Sequence, residues 1–200
     1  NSLQYMPPDN PIFPGKDLIL LSLRQPSAAI IIDKGTGNVL WRYGGYIHGE
    51  WGRLGHQHSF YRIGGKIGAD RKDLPGYGNL LVFDNGMHIA GYEDWGLPRS
   101  SVIEINPKTK KVVWTYRHYE DFKGEMPPEW KFNSPYIGGA QRLPNGNTLI
   151  TEGGTGRIFE VTRDREIVWE FINPEKKPLF RAYRYGPDFQ GFEGKDLPKP

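Results

Sequence analysis

The 200-residue sequence has no cysteine, so disulfides, thiolate metal sites and a cysteine nucleophile are excluded. The compartment stays open, because exported proteins can lack cysteine too. Also missing is any run of about 18 apolar residues, the length a membrane-spanning helix needs. The longest apolar stretches, such as Ala28 to Ile32, are strand-sized. Charge of one sign is not in excess. Lys and Arg number 26 against 23 Asp and Glu, for a net charge of +3. No basic cluster points to nucleic acid as a partner. The sequence starts at Asn1 with neither Met nor a leader. The expectation is therefore a piece of a longer product whose targeting segment is not seen.

Turn formers and aromatics are plentiful: 26 Gly, 17 Pro, 6 Trp and 11 Tyr. With short β-branched runs between the turns, this composition predicts an all-β fold. Three segments repeat one another. Asp33-Lys34-Gly35-Thr36-Gly37 leads through Asn38-Val39-Leu40 to Trp41, Asn106-Pro107-Lys108-Thr109-Lys110 leads to Trp114, and Thr162-Arg163-Asp164-Arg165 leads to Trp169. Each reads as a hairpin with an aromatic two residues after the Trp (Tyr43, Tyr116, Phe171). Upstream, Gly78-Asn79-Leu80-Leu81-Val82-Phe83 matches Gly146-Asn147-Thr148-Leu149-Ile150-Thr151, with Asp17 to Ser22 as a degenerate first copy. Further upstream, Asn1, His58 and Gly138 each lie five residues before Met6, Ile63 and Leu143.

A four-stranded unit repeated at this spacing predicts a β-propeller, each blade burying one face on the next. The expected blades span about residues 1–45, 56–118 and 136–173, with a closing strand near 180–187, where Ala182-Tyr183-Arg184-Tyr185 resembles Ala140-Gln141-Arg142-Leu143. Trp41, Trp114 and Trp169 are expected to pack blade on blade. Three blades do not close a propeller. Further blades are expected from the same gene product or from another chain, a homo-oligomer included.

Side chains at the start of each innermost strand face the mouth of the channel. Asn1 and His58 fall there, and Arg24 ends a second strand nearby. His56 precedes His58 by two, so an extended strand would point both to one side. Two imidazoles and a guanidinium could bind a metal, form a satisfied structural pair, or serve nucleophilic transfer to an anionic group. Spacing does not choose among these. His48, His88 and His118 read as exposed, and Glu93, Asp94, Glu104 and Glu160 as solvated or turn-capping carboxylates. Asp33 to Trp41 also fits the docking motif of quinoprotein propellers, which reports a turn and a packing Trp and no cofactor.

Several motifs together resemble the aryl-sulfate sulfotransferase family. They are Gly55-His56-Gln57-His58, Leu81-Val82-Phe83-Asp84-Asn85-Gly86, Ser134-Pro135-Tyr136, Gly139 to Ile150, Gly156 to Val161 and the tail Phe180-Arg181-Ala182-Tyr183-Arg184-Tyr185. The match runs through nearly the whole chain and corresponds to the C-terminal half of such proteins. The resemblance implies a six-bladed, exported propeller, periplasmic or extracellular. It implies sulfuryl transfer from a phenolic sulfate to a phenol through a sulfohistidine, with no cofactor. Carried over, the nucleophile is His58, Arg24 holds sulfate oxygens and Asn1 matches the family's His-x-Asn asparagine. His56 is kept as a supporting or donor residue. Ser59 stands where the family commonly has Asp. Tyr61, Phe83, Trp95 and Tyr136 are candidates to line a phenol pocket. The competing expectations are a non-catalytic binding or scaffold propeller and a redox enzyme of the quinoprotein type.

Overall fold

The computed structural model describes residues 1–45, 54–65, 71–86, 100–117, 132–186 and 189–195. The histidines at 48, 88 and 118, the acidic pair 93–94 and Trp95 lie outside the described residues. Among the described residues, twelve strands form three four-stranded antiparallel sheets, each a simple meander. The first sheet holds β1 (Ser2–Met6), β2 (Leu18–Leu23), β3 (Ala28–Asp33) and β4 (Val39–Gly44). The second holds β5 (Ser59–Arg62), β6 (Leu80–Asp84), β7 (Ser101–Ile105) and β8 (Val112–Tyr116). The third holds β9 (Gly139–Arg142), β10 (Thr148–Glu152), β11 (Arg157–Val161) and β12 (Ile167–Ile172). These are propeller blades. Asn1, His58 and Gly138 each stand one residue before an innermost strand.

The middle blade shows why its strands read as unbroken apolar runs. Both of its faces are covered, so both alternating sets of side chains are apolar. Leu80, Val82, Ile103 and Ile105 join Leu18, Leu20, Ile31 and Trp41 of the first blade in one core. Leu81, Phe83, Val102 and Trp114 join Ile150, Phe159 and Val161 of the third blade in another.

The repeated Trp also staples blade to blade. Trp41 Nε1 donates to Pro107 O at 2.9 Å, in the hairpin turn of the second blade. Trp114 Nε1 donates to Arg163 O at 2.8 Å, in the same turn of the third. Each Trp is paired across a ladder that shifts register at the next residue: after Ile31, after Glu104 and after Glu160. In the first two turns an Asp33 or Asn106 side chain accepts the backbone N–H groups two and three residues on. Trp169 has no following turn among the described residues and is 43% exposed. Trp41→Phe and Trp114→Phe should each cost about 1 kcal/mol through the lost hydrogen bond. Trp169→Phe should cost markedly less. Urea unfolding of the three variants checks this, and equal losses would contradict the staple.

A second device ties the innermost strands together. Gln4 Oε1 accepts the Arg62 N–H at 2.7 Å, Tyr61 Oη the Arg142 N–H at 2.6 Å, and Gln141 Oε1 the Arg184 N–H at 2.7 Å. Residues 180–186 thus take the place of a fourth innermost strand. Of the closing strand expected at 180–187, the described residues 180–186 form no strand, because no second strand among the described residues pairs with them. Gln141 and Thr151 hold it through side chains instead. The array ends on two open apolar surfaces. Leu3 and Tyr5 are exposed at one end and Ile167, Val168, Phe171 and Ile172 at the other.

Candidate functional site

The site forms where the first two blades meet. β2 runs into a turn whose Ser27 N–H returns to Arg24 O at 3.0 Å. The approach to β5 packs on that turn. Gln57 is fully buried, and its Nε2 donates to Leu23 O and Ala28 O at 3.1 and 2.9 Å. Asn1 Nδ2 donates to Gln57 O at 3.0 Å. Gln57 therefore anchors the segment that carries His58 and sets Asn1 and Arg24 beside it.

His56 departs from the sequence expectation. β5 begins only at Ser59, and His56 has φ of 57°. A left-handed residue breaks the alternation, so the argument that both imidazoles share one side of a strand fails. Its N–H reaches Ser27 Oγ at 3.1 Å, which fixes the turn from the neighbouring blade.

His58 is buried, and both of its ring nitrogens are engaged. Asn85 Nδ2 donates to Ser134 O and Ile137 O at 2.6 and 2.9 Å, which leaves Asn85 Oδ1 facing the ring. That oxygen can only accept, so His58 Nδ1–H donates to it, at 2.7 Å. Nε2 is then the basic nitrogen, and it accepts the Ile137 N–H at 3.2 Å. Ile137 has φ of 50°, unusual for a β-branched residue. Gly138 follows at φ of 121°, where a Cβ would fall 2.7 Å from the Phe83 ring. Ser134 Oγ clamps this loop by donating to Tyr136 O and Ile137 O.

Burial holds the proton affinity of His58 below its ordinary value of 6.5; the Asn85 bond opposes that, and the Arg24 guanidinium adds to it. Unfolded His58 takes up a proton near 6.5 while the folded residue resists until lower pH. The unfolded chain therefore binds more protons in that window, and stability falls as pH drops below 6.5. Urea midpoints should decline there, and His58→Gln should flatten the decline. Parallel profiles for parent and variant would contradict this.

Of the other sequence candidates, Tyr61 lies on β5, where its hydroxyl accepts the Arg142 N–H and the residue helps to line a cavity with Tyr183 and Tyr185. Phe83 is buried between blades rather than in a pocket, and Tyr136 is exposed. Among the described residues, no three His, Asp or Glu side chains converge to hold a metal ion. Sequence reasoning passed over Asn85 and Gln57 as site residues, although both sit in quoted motifs. The Asp84 carboxyl, buried beside them, accepts the Gly55 N–H at 2.7 Å, and its burial raises its proton affinity.

The arrangement presents an imidazole of fixed tautomer, and the Arg24 guanidinium donates to the neighbouring Gln25 Oε1 at 2.7 Å. The model of the family described as Arylsulfotransferase (ASST) matches residues 13–174. The chain belongs to the arylsulfotransferase family. No curated protein matches it in sequence. Solved structures similar to this arylsulfotransferase-family chain include the Dos1 propeller (10% identity, TM-score 0.48, covering 86% of this chain and 34% of that one). Apo AztD from Citrobacter koseri is similar at 10% identity and TM-score 0.45, covering 84% and 34%. A europium-containing methanol dehydrogenase is similar at 13% identity and TM-score 0.49, covering 90% and 36%. The chain spans about a third of the length of each. The propeller assignment of the arylsulfotransferase-family chain rests on its own three sheets.

Proposed function

We propose that the chain is part of an exported, six-bladed arylsulfotransferase that moves a sulfuryl group from a phenolic sulfate ester to a phenol. The remaining blades come from the same gene product or from another chain, a second copy included. The two exposed apolar ends of the array support this.

The observation that carries the reading is the orientation of His58. Asn85 holds the proton on Nδ1 and leaves the lone pair on Nε2. When the Ile137 N–H moves aside, Nε2 attacks sulfur. The N–S bond forms, the S–O bond to the ring breaks, and phenolate leaves, taking a proton from an acid; a family histidine outside this sequence is proposed for this. In the second half the acceptor phenol oxygen attacks sulfur, the N–S bond breaks, and the acceptor's proton returns to the same acid. Charge spreads over three equatorial oxygens, as in phosphoryl transfer. Arg24 and the Asn1 amide are donors suited to hold them. Transfer from a chromogenic aryl sulfate to phenol by the intact protein, against its His58→Ala variant, tests the reading.

One observation favours a second reading. Both nitrogens of His58 are satisfied, as in a purely structural histidine. In that case the propeller is a binding or scaffold module, and the intact protein shows no transfer.

A further inference from the structure

The bond from the Ile137 N–H to His58 Nε2, 3.2 Å long, exists only while that nitrogen holds a lone pair. A proton on Nε2 makes both ring nitrogens donors. Asn85 Oδ1 still accepts from Nδ1, at 2.7 Å, but on the other side a ring N–H then faces a backbone N–H. Two buried donors so placed repel, and one of them has to turn away.

The ring is the fixed partner, because the Asn85 amide that holds it is itself held by Ser134 O and Ile137 O. The Tyr136–Ile137 peptide is the movable one. On one side of it, the Ser134 N–H donates to Ser100 Oγ at 2.8 Å and Ser134 Oγ accepts the Gly154 N–H at 2.8 Å. On the other, the Ile137 carbonyl accepts from Asn85 Nδ2 at 2.9 Å and the Gly138 N–H donates to Phe180 O at 3.2 Å. Between these anchors the peptide makes two bonds, its N–H on His58 and its carbonyl on Ser134 Oγ. Ser134 Oγ also reaches Ile137 O at 3.1 Å, so its hydrogen keeps an acceptor when the Tyr136 carbonyl leaves.

Backbone strain favours the move. Ile137 sits at φ of 50°, where a β-branched side chain crowds its own backbone. Half a turn of the peptide takes that φ to about −130°, in the β region that such residues favour. The same rotation turns the N–H off the ring and the Tyr136 carbonyl on to it. The Tyr136 side chain is exposed, so no core packing is broken there.

We infer that the Tyr136–Ile137 peptide is a proton-operated switch: its N–H caps Nε2 of neutral His58, and on the charged ring it flips so that its carbonyl accepts the Nε2 proton. The flipped form belongs to the acid side, and in it Nε2 has no electron pair to offer. The switch goes beyond the transfer reading and does not rest on it. Burial opposes the charged ring, with Arg24 from the turn after β2 and the Asn1 amino group adding to that, while Asn85 and the His56 backbone favour it. The carboxyls of the adjoining strands are turned elsewhere, Asp84 to the Gly55 N–H and Glu152 to the Asn133 N–H.

The test is NMR on the intact, isotope-labelled protein through a pH series, with the His58 ring nitrogens and the Ile137 amide as probes. At high pH a coupling through the hydrogen bond should join the Ile137 nitrogen to His58 Nε2. The amide and Hα protons of Ile137 should then show the close contact of a positive φ. Both signals should fade with the midpoint at which the ring takes its proton. Glycine and asparagine tolerate a left-handed backbone. Ile137→Gly and Ile137→Asn should therefore keep the capped form to lower pH and lower the midpoint by about half a unit or more. A ring that charges while the Ile137 signals stay unchanged overturns the inference, as does a ring that stays neutral until the protein unfolds. So does a midpoint at or above the parental one in a folded Ile137→Gly protein; if that variant does not fold, Ile137→Asn is read in its place. None of these signals depends on turnover, so failure of the transfer reading leaves them as they are.

Discussion

His58→Ala is expected to lower sulfuryl transfer by about a thousandfold or more, because a covalent route loses its attacking atom outright. Arg24→Gln should lower kcat/KM by about a hundredfold, as expected when one donor to developing charge is removed. The two effects arise differently. In the proposed mechanism His58 would supply the electron pair on Nε2, and Arg24 would hold oxygens whose charge grows in the transition state. Removing the imidazole also leaves Asn85 Oδ1 buried and unpaired, at a cost of about 1–3 kcal/mol. Thermal melts therefore accompany the rates. A folded His58→Ala protein that turns over at the parental rate removes His58 as the nucleophile.

Glu104→Gln should produce the largest loss of stability, about 3–5 kcal/mol, because it strands a buried guanidinium. Glu104 Oε2 pairs with Arg142 at 2.8 Å and with Arg163 at 2.6 Å, and Asn79 Nδ2 donates to Oε1 at 2.7 Å. The Arg142 side chain is 0% exposed, and its other side-chain hydrogen bond is to Gly146 O. Its guanidinium lies 5.1 Å from the Trp114 ring centroid. The cluster joins β7 of the second blade to β9 and the last hairpin turn of the third, so the variant loosens the joint between blades. Adding Arg142→Met should recover part of the loss, since the stranded charge is gone. The third blade holds an internal control. Glu160 pairs with Arg184, which stacks on Trp169 in the same pattern, but Arg184 is 41% exposed. Glu160→Gln should cost about 1 kcal/mol or less. Urea unfolding distinguishes the cases, and equal losses at the two glutamates would contradict the burial argument.

The recurring Trp was legible in the sequence because Trp41 and Trp114 meet the same requirement, a ring under the neighbouring blade and an N–H for its turn, whereas Trp169 is exposed. The equivalence of Asn1, His58 and Gly138 was legible for a similar reason, since strand length sets the count from the mouth to the turn. Long-range contacts were not. His56 looked extended by its spacing, yet its backbone is turned left-handed by Ser27 of another blade. Asn85 stood in a recognisable motif, but nothing local shows that its amide orients an imidazole 27 residues away. The Ile137 N–H on Nε2 spans 79 residues and belongs to a loop whose backbone no propensity would suggest. Residues 180–186 resembled a strand because they copy an innermost one, and sheet formation needs a partner that the resemblance could not supply.

The covalent intermediate tests the central claim most directly. The intact protein is mixed with an aryl sulfate in the absence of acceptor, quenched, digested and analysed by mass spectrometry. The account predicts one added sulfuryl group on the peptide containing His58, discharged when phenol is supplied. Steady turnover with the label on another residue, or with none, would contradict it.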